Sequence, residues 1–222
     1  MRTLFILRPE PGASDSAGRA KAMGLEAVVA PLFAVAPVAW DVPDAAGFDG
    51  LLLTSANPVR HGGEGLARVR GLPVYAVGEA SAAAARAAGF SVAASGDGDV
   101  MRLLGSVAPG LRLLHLCGAN RRALDGAAQA ITPVVVYCAE ALARPDALDT
   151  LGGQVAAVHS PRAAARLSEL VDQRSAIRIA AISAAAAEAA GDGWEHVETA
   201  DAPSDAALLA LAARLCDNRR QQ

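Results

Sequence analysis

The 222-residue chain is long enough for one large domain or two small ones, on a prior of roughly 100–200 residues per domain. Hydrophobic residues make up 53%, charged residues 19%, and the formal net charge is −3, which excludes a disordered chain, a collagen and a nucleic-acid-coating polycation. The mean hydropathy of +0.28 comes from Ala-rich stretches that Arg86, Glu188 or Asp192 interrupt, well short of the ~20 apolar residues a membrane span needs.

From the N-terminus, Leu4–Leu7 reads as a strand, Ala13–Met23 as a helix stopped by Gly24, and Glu26–Ala30 as a second strand. The first apolar run, closed by Arg8 and Pro9, is shorter than the core of a secretion signal, so no export is expected. Leu51–Leu53, Val74–Val77, Leu111–Leu116, Val155–Val158 and Ile179–Ile182 repeat the short, continuously apolar signature. Turn residues and Ala-rich helical segments lie between them, the βαβ rhythm of an α/β protein. Strands without alternation suit a parallel sheet covered by helices on both faces. Cys117, Cys138 and Cys216 are odd in number, far apart and without a C-x-x-C spacing, as expected in a reducing, cytoplasmic compartment.

The sequence repeats itself. Leu51–Val59 and Val155–Ala163 are each a strand ending in Ser and opening a helix, and 23 residues beyond Ser55 and Ser160 stand two further strand-to-helix junctions, at Gly78 and Ser183. Leu103-Leu104 and Leu208-Leu209 then occupy the last helix of each copy. The remaining pieces, Met1–Val38 and Leu111–Ala143, also resemble each other: strand, polar turn with Arg8 or Arg121, helix, and an extended apolar run near a proline. The expectation is two related parallel-sheet α/β domains joined by a two-stranded linker. Domain one is discontinuous, residues 1–34 and 140–222; domain two is 39–131; the linker strands are 31–38 and 132–139.

Strand-to-helix junctions place backbone N–H groups and small hydroxyls at the C-terminal edge of a parallel sheet, where ligands of open α/β folds bind and helix N-termini favour anions. Candidate junctions are Thr54-Ser55-Ala56-Asn57, Gly78-Glu79-Ala80-Ser81, Gly96-Asp97-Gly98, Gly118-Ala119-Asn120-Arg121, His159-Ser160-Pro161-Arg162 and Ala202-Pro203-Ser204. At any one of them a helix cap is the plain alternative. Facing one another across an interdomain cleft they would bind a polyanion, with Arg8, Arg121 and Arg162 for bidentate pairing. No P-loop, dinucleotide fingerprint, nucleophile elbow or H-E-x-x-H occurs. His61, His115, His159 and His196 lack metal-ligand spacing, so no metal is expected, and basic residues do not cluster with aromatics as nucleic-acid binding would require.

The chain resembles the uroporphyrinogen-III synthase family along its whole length. The likeness rests on Arg8-Pro9 after the first strand, Pro31-Leu32-Phe33, Leu53-Thr54-Ser55-Ala56-Asn57 with Val59, and Val77-Gly78-Glu79-Ala80-Ser81-Ala82. It continues through Gly96-Asp97-Gly98, Cys117-Gly118 with Arg121, Val136-Tyr137, Ser160-Pro161 and Pro203. Order and spacing carry it, since none of these motifs is diagnostic alone.

The resemblance implies a cofactor-free enzyme of heme biosynthesis. It would cyclise linear hydroxymethylbilane to uroporphyrinogen III, with inversion of ring D through a spiro intermediate and loss of water. The substrate carries eight carboxylates, and the site is expected between two α/β domains. Substrate-binding residues would be Arg8, Thr54, Ser55, Asn57, Gly78, Ser81, Arg121, Ser160 and Ser183, with Tyr137 assisting departure of the hydroxyl. A monomer is implied, with transient hand-off of substrate from hydroxymethylbilane synthase and no nucleic-acid or membrane partner. One departure stands out: where the family reads Ile-Gly-x-Thr-Thr, this chain has Ile182-Ser183-Ala184-Ala185-Ala186. That loss of hydroxyls supports a competing reading, a non-catalytic two-domain binding or sensor module for a small polyanion.

Overall fold

A computed structural model describes residues 1–96, 99–121 and 123–217. The chain begins β1 (Leu4–Ile6), α1 (Gly12–Ala22), β2 (Ala27–Val29) and β3 (Phe33–Pro37). It continues through β4 (Gly50–Leu53), α2 (Asn57–His61), α3 (Leu66–Val69), β5 (Val74–Val77), α4 (Glu79–Ala87), β6 (Val92–Gly96) and α5 (Val100–Gly105). Next come β7 (Arg112–Gly118), β8 (Ala130–Ala141), β9 (Val155–Val158), α6 (Pro161–Leu170) and β10 (Arg178–Ala181). The last elements are α7 (Ala184–Ala190), β11 (His196–Thr199) and α8 (Asp205–Cys216).

Two compact units form, Met1–Ala34 with Glu140–Gln222, and Val35–Ala139. The chain passes between them inside β3 and inside β8. Leu142 N donates to Leu32 O at 3.0 Å and Val38 N to Val136 O at 3.0 Å, so these two strands run antiparallel.

In the first unit the sheet order is β11-β10-β9-β1-β2 and every pair is parallel. Numbered within the unit this is 2-1-3-4-5, the flavodoxin-like winding, with its switch point between β1 and β9. Leu4, Ile6, Val155, Ala157 and Ala180 face α1 and α8, whose Ala13, Ala20, Leu208, Leu209 and Leu211 close one core. Alanine on these helices lets them lie close to the sheet, and Gly24, at φ +80°, ends the turn after α1 in the left-handed region.

The second unit has the order β3-β8-β7-β4-β5-β6, with β8, β7, β4, β5 and β6 parallel. Leu51, Leu53, Val74, Ala76, Leu114 and Leu116 point to one face, against Leu66, Val69, Ala82 and Ala85 of α3 and α4. Leu52 and Leu113 point to the other, against Leu103 and Leu104 of α5. Its switch point lies between β7 and β4.

The repeat seen in the sequence is a repeat of topology. Leu4 pairs with Val155 in one sheet and Leu113 with Gly50 in the other, so β1 matches β7 and β9 matches β4. Val155 is separated from Gly50 by the same 105 residues that separate Ser160 from Ser55 and Ser204 from Asp99. Ser204 and Asp99 are both side-chain N-caps, of α8 and α5.

Two strands, β6 and β11, were not part of the sequence expectation. Both are edge strands, and Val92–Gly96 alternates between partly buried and exposed residues, so neither carries the continuous apolar run of a central strand. The single helix expected after Ser55 is two short ones, α2 and α3, separated by a 3-10 turn at Gly63–Gly65, as the glycines at 62, 63 and 65 dictate.

Candidate active site

Thr54 and Ser55 follow directly on β4, and α2 does not begin until Asn57, so neither hydroxyl is consumed as a helix cap. Thr54 Oγ1 lies 3.2 Å from His115 Nε2. Ser55 Oγ lies 3.2 Å from the Tyr137 hydroxyl. His115 pairs with Leu52 across β7 and β4, and Thr54, two residues past Leu52, falls on the same sheet face. Tyr137 arrives by a different device. The β7–β8 register skips between Cys117 and Gly118, so that Gly118 pairs with Tyr137. This bulge lays the ring on Gly118, where a Cβ would stand 2.6 Å from Tyr137 Cε2.

Around these pairs a cleft of about 310 Å³ is lined by Thr54, Ser55, Val77, Val100, His115, Cys117, Gly118, Asn120, Arg121, Leu124 and Tyr137. It opens at the C-terminal ends of β4 and β7, the switch point where ligands of open α/β sheets bind. Arg121, exposed, is the one fixed charge among the described residues that line it. Burial, helped by the Arg121 charge, pushes the His115 imidazole down to about 4, so it is neutral near pH 7. Burial raises the Cys117 thiol, against the opposing pull of Arg121 and a 3.4 Å contact to the Val134 carbonyl, so it stays protonated. The cleft therefore offers hydroxyls, an amide, a neutral imidazole and one guanidinium. That set can hold a carboxylate, and it contains no thiolate nucleophile and no imidazole titrating near neutrality. No group of three or more His, Cys, Asp or Glu among the described residues is placed to hold a metal ion.

The structure brings Thr54, Ser55, Arg121 and Tyr137 together. Three other sequence candidates lie in the same unit outside the cleft lining. Asn57 is the first residue of α2, Gly78 caps α4 at φ +84°, and Ser81 is 4% exposed on the inner side of α4. Arg8, Ser160 and Ser183 belong to the other unit. Ser160 Oγ accepts from Ala163 N at 3.1 Å and Ser183 Oγ from Ala186 N at 3.3 Å, so both serve as helix caps. Arg8 lies 3.2 Å from Asp205 Oδ1 and 3.3 Å from Ser16 Oγ. Of the Gly96-Asp97-Gly98 turn, Asp97 and Gly98 lie outside the described residues. Sequence reasoning missed His115 as a site residue. Its signal was a polar residue inside the apolar run Leu113-Leu114-His115-Leu116.

The family model described as uroporphyrinogen-III synthase HemD matches residues 14–210. No curated protein matches the chain. The crystal structure of uroporphyrinogen-III synthetase from Helicobacter pylori is similar over 97% of this chain and 100% of that one, at 18% identity and a TM-score of 0.68. A selenomethionine derivative of a mutant uroporphyrinogen III synthase from Thermus thermophilus is similar over 96% of this chain and 98% of that one, at 18% identity and a TM-score of 0.51. At such identity the structural likeness speaks for the fold, and the match to the family model, which spans most of the sequence, speaks for the family. The chain belongs to the uroporphyrinogen-III synthase family, the cyclising enzymes of heme biosynthesis.

Proposed function

We propose that the cleft at the ends of β4 and β7 is where this synthase holds part of linear hydroxymethylbilane while it closes to uroporphyrinogen III. The observation that carries the reading is the meeting of Thr54, Ser55, Tyr137 and Arg121 in one cleft at a sheet switch point. Its volume, about 310 Å³, is at the lower end of the ~300–1,000 Å³ of small-molecule sites. That is room for one substituted pyrrole, so the cleft takes one end of the bilane.

The chemistry asks little of acids and bases. Departure of the hydroxyl from the hydroxymethyl group together with the proton of the same ring's N–H, as one water, leaves an azafulvene, driven by the electron-rich pyrrole. Ring D attacks through its substituted α-carbon to give a spiro-pyrrolenine, whose fragmentation and reclosure invert the ring, with net loss of one water. Unaided, the bilane closes to the type I isomer. The protein's task is to hold the chain so that spiro attack is faster than direct closure. The Tyr137 hydroxyl, steadied by Ser55, is placed to hydrogen-bond the departing hydroxyl, and Arg121 with Asn120 to receive a carboxylate.

The same reading carries a monomer at work in the cytoplasm that takes its bilane from hydroxymethylbilane synthase. Cysteines that form no disulfide among the described residues suit a reducing compartment, and no helix among those residues is long and apolar enough to cross a membrane. The family match does not favour the binding-module alternative.

The test couples the purified protein to hydroxymethylbilane generated in situ, oxidises the products and separates type I from type III uroporphyrin. Predominant type III is expected. Type I alone, from folded protein, would overturn the reading.

A further inference from the structure

β7 is an apolar central strand with one polar interruption, and the repeat shows that the fold does not ask for it. By the strand equivalence above, His115 stands where β1 has Ile6, a fully buried member of the first unit's core. An apolar side chain therefore satisfies this position in an otherwise matching sheet. His115 is 3% exposed, and burying an imidazole in an apolar layer costs free energy unless it makes a hydrogen bond. The partner it finds is Thr54 Oγ1, at 3.2 Å, at the lip of the cleft.

We propose that His115 is a positioning residue for the cyclisation, fixing the rotamer of the Thr54 hydroxyl that meets the bilane. A threonine hydroxyl can donate or accept, so either neutral tautomer of His115 completes the pair. Free, the Thr54 side chain would divide among its staggered rotamers; held by Nε2 it presents one. Burial keeps the ring neutral, so the hold persists across the physiological range. The inference rests on the reading of this cleft as the substrate site, and its test is built to separate the two.

The variants are His115→Ile, which copies the other unit; His115→Gln, whose terminal amide reaches about as far as Nε2; His115→Asn, which is too short; and Thr54→Val. Each is checked for folding by circular dichroism and thermal melting. It is then assayed for kcat, KM and the type III to type I ratio. His115→Ile and His115→Asn are expected to lower kcat about tenfold, the size of one hydrogen bond in the transition state, with KM little changed and more type I product. His115→Gln should restore most of the loss, and His115→Ile on a Thr54→Val background should add nothing further. Should His115→Ile fail to fold, the contrast between His115→Gln and His115→Asn decides. Wild-type turnover and isomer ratio in His115→Asn, or equal losses in the Gln and Asn variants, would overturn the proposal. If Thr54→Val itself matches wild type, it is the reading of the cleft that falls.

Discussion

His159 Nε2 lies 2.9 Å from Asp205 Oδ1, and the two residues stand where the other unit has Thr54 and Val100 in the lining of its open cleft. Arg8, by the pairing of β1 with β9, takes the place of Cys117. Asp205 also accepts from Ser16 Oγ at 2.6 Å and Arg19 Nε at 2.9 Å. The two switch points thus have opposite characters. In the second unit the position is an accessible hollow with hydroxyls. In the first, the carboxylate of α8 draws two guanidiniums, a hydroxyl and an imidazole together.

That cluster makes stability fall with acid. Burial alone would raise the Asp205 carboxyl, and hydrogen bonds from His159, Ser16 and Arg19 overturn it and hold the group well below its usual range. Burial pushes His159 down, with Asp205 opposing. Both groups bind fewer protons folded than unfolded, so both signs agree. The His159 contribution is complete above about 6.5 and drains as pH falls through its lower folded value. The Asp205 contribution is complete above about 4 and is lost below. The melting temperature should decline in two stages on acidification. His159→Gln is expected to remove the first stage and Asp205→Asn the second. A melting curve against pH that keeps both stages in both variants would remove the cluster as their cause.

Tyr137 and Gly118 form a pair whose two halves can be tested apart. Tyr137→Phe deletes the hydroxyl bonded to Ser55 and keeps the ring, so turnover should drop about tenfold while the fold survives. Gly118→Ala keeps the hydroxyl but puts a Cβ 2.6 Å from the ring, so the ring must move and a similar loss is expected. Gly47→Ala, with no heavy atom within 4 Å of its Cβ, is the silent control. Full turnover in Tyr137→Phe would make the ring a packing residue.

Gln129 is 6% exposed, and its Nε2 donates to the carbonyls of Leu104, Val107 and Ala108 at 3.1, 2.9 and 3.1 Å. Helix α5 is short and closes with a tightened last turn, Ser106 N donating to Leu103 O at 3.0 Å and Val107 N to Leu104 O at 3.1 Å. The Gln129 amide adds a second donor at Leu104 and reaches the carbonyls of Val107 and Ala108 beyond the helix end. Gln129→Leu should destabilise the protein by about 1–3 kcal/mol by taking the amide away from the carbonyls of Val107 and Ala108, with turnover at low temperature unchanged. A melting temperature equal to wild type would show that water replaces the amide.

Much of this architecture was legible because Ala-rich helices and apolar central strands write themselves plainly, and because the repeat displays each junction twice. The edge strands β6 and β11 were not, since half-exposed strands lack the apolar run. The site was half legible. Thr54, Ser55, Arg121 and Tyr137 stand out as polar residues at strand ends, but nothing local tells Ser55, two residues before its helix, from Ser160, which caps one. The difference lies in where the helix starts. His115 was hidden by its strand, because its partner, Thr54, is 61 residues away.

The family's threonines at Ala185 and Ala186 give the last test. Ala186 is fully buried on α7, and its N–H is already taken by Ser183 Oγ; Ala185 is exposed. Ala186→Thr must force a β-branched side chain and a hydroxyl into a packed layer, at a cost of roughly 1–3 kcal/mol. Ala185→Thr meets no such layer and should change stability by less than about 0.5 kcal/mol. Neither is expected to raise turnover, because in this chain the hydroxyl at the junction has passed to Ser183, where it holds the helix end. A gain in kcat with Ala185→Thr would mean that the surface of α7 still meets substrate and that the missing hydroxyl is a true loss. Wild-type turnover together with a lowered melting temperature in Ala186→Thr would mean that the first turn of α7 has been given over to packing.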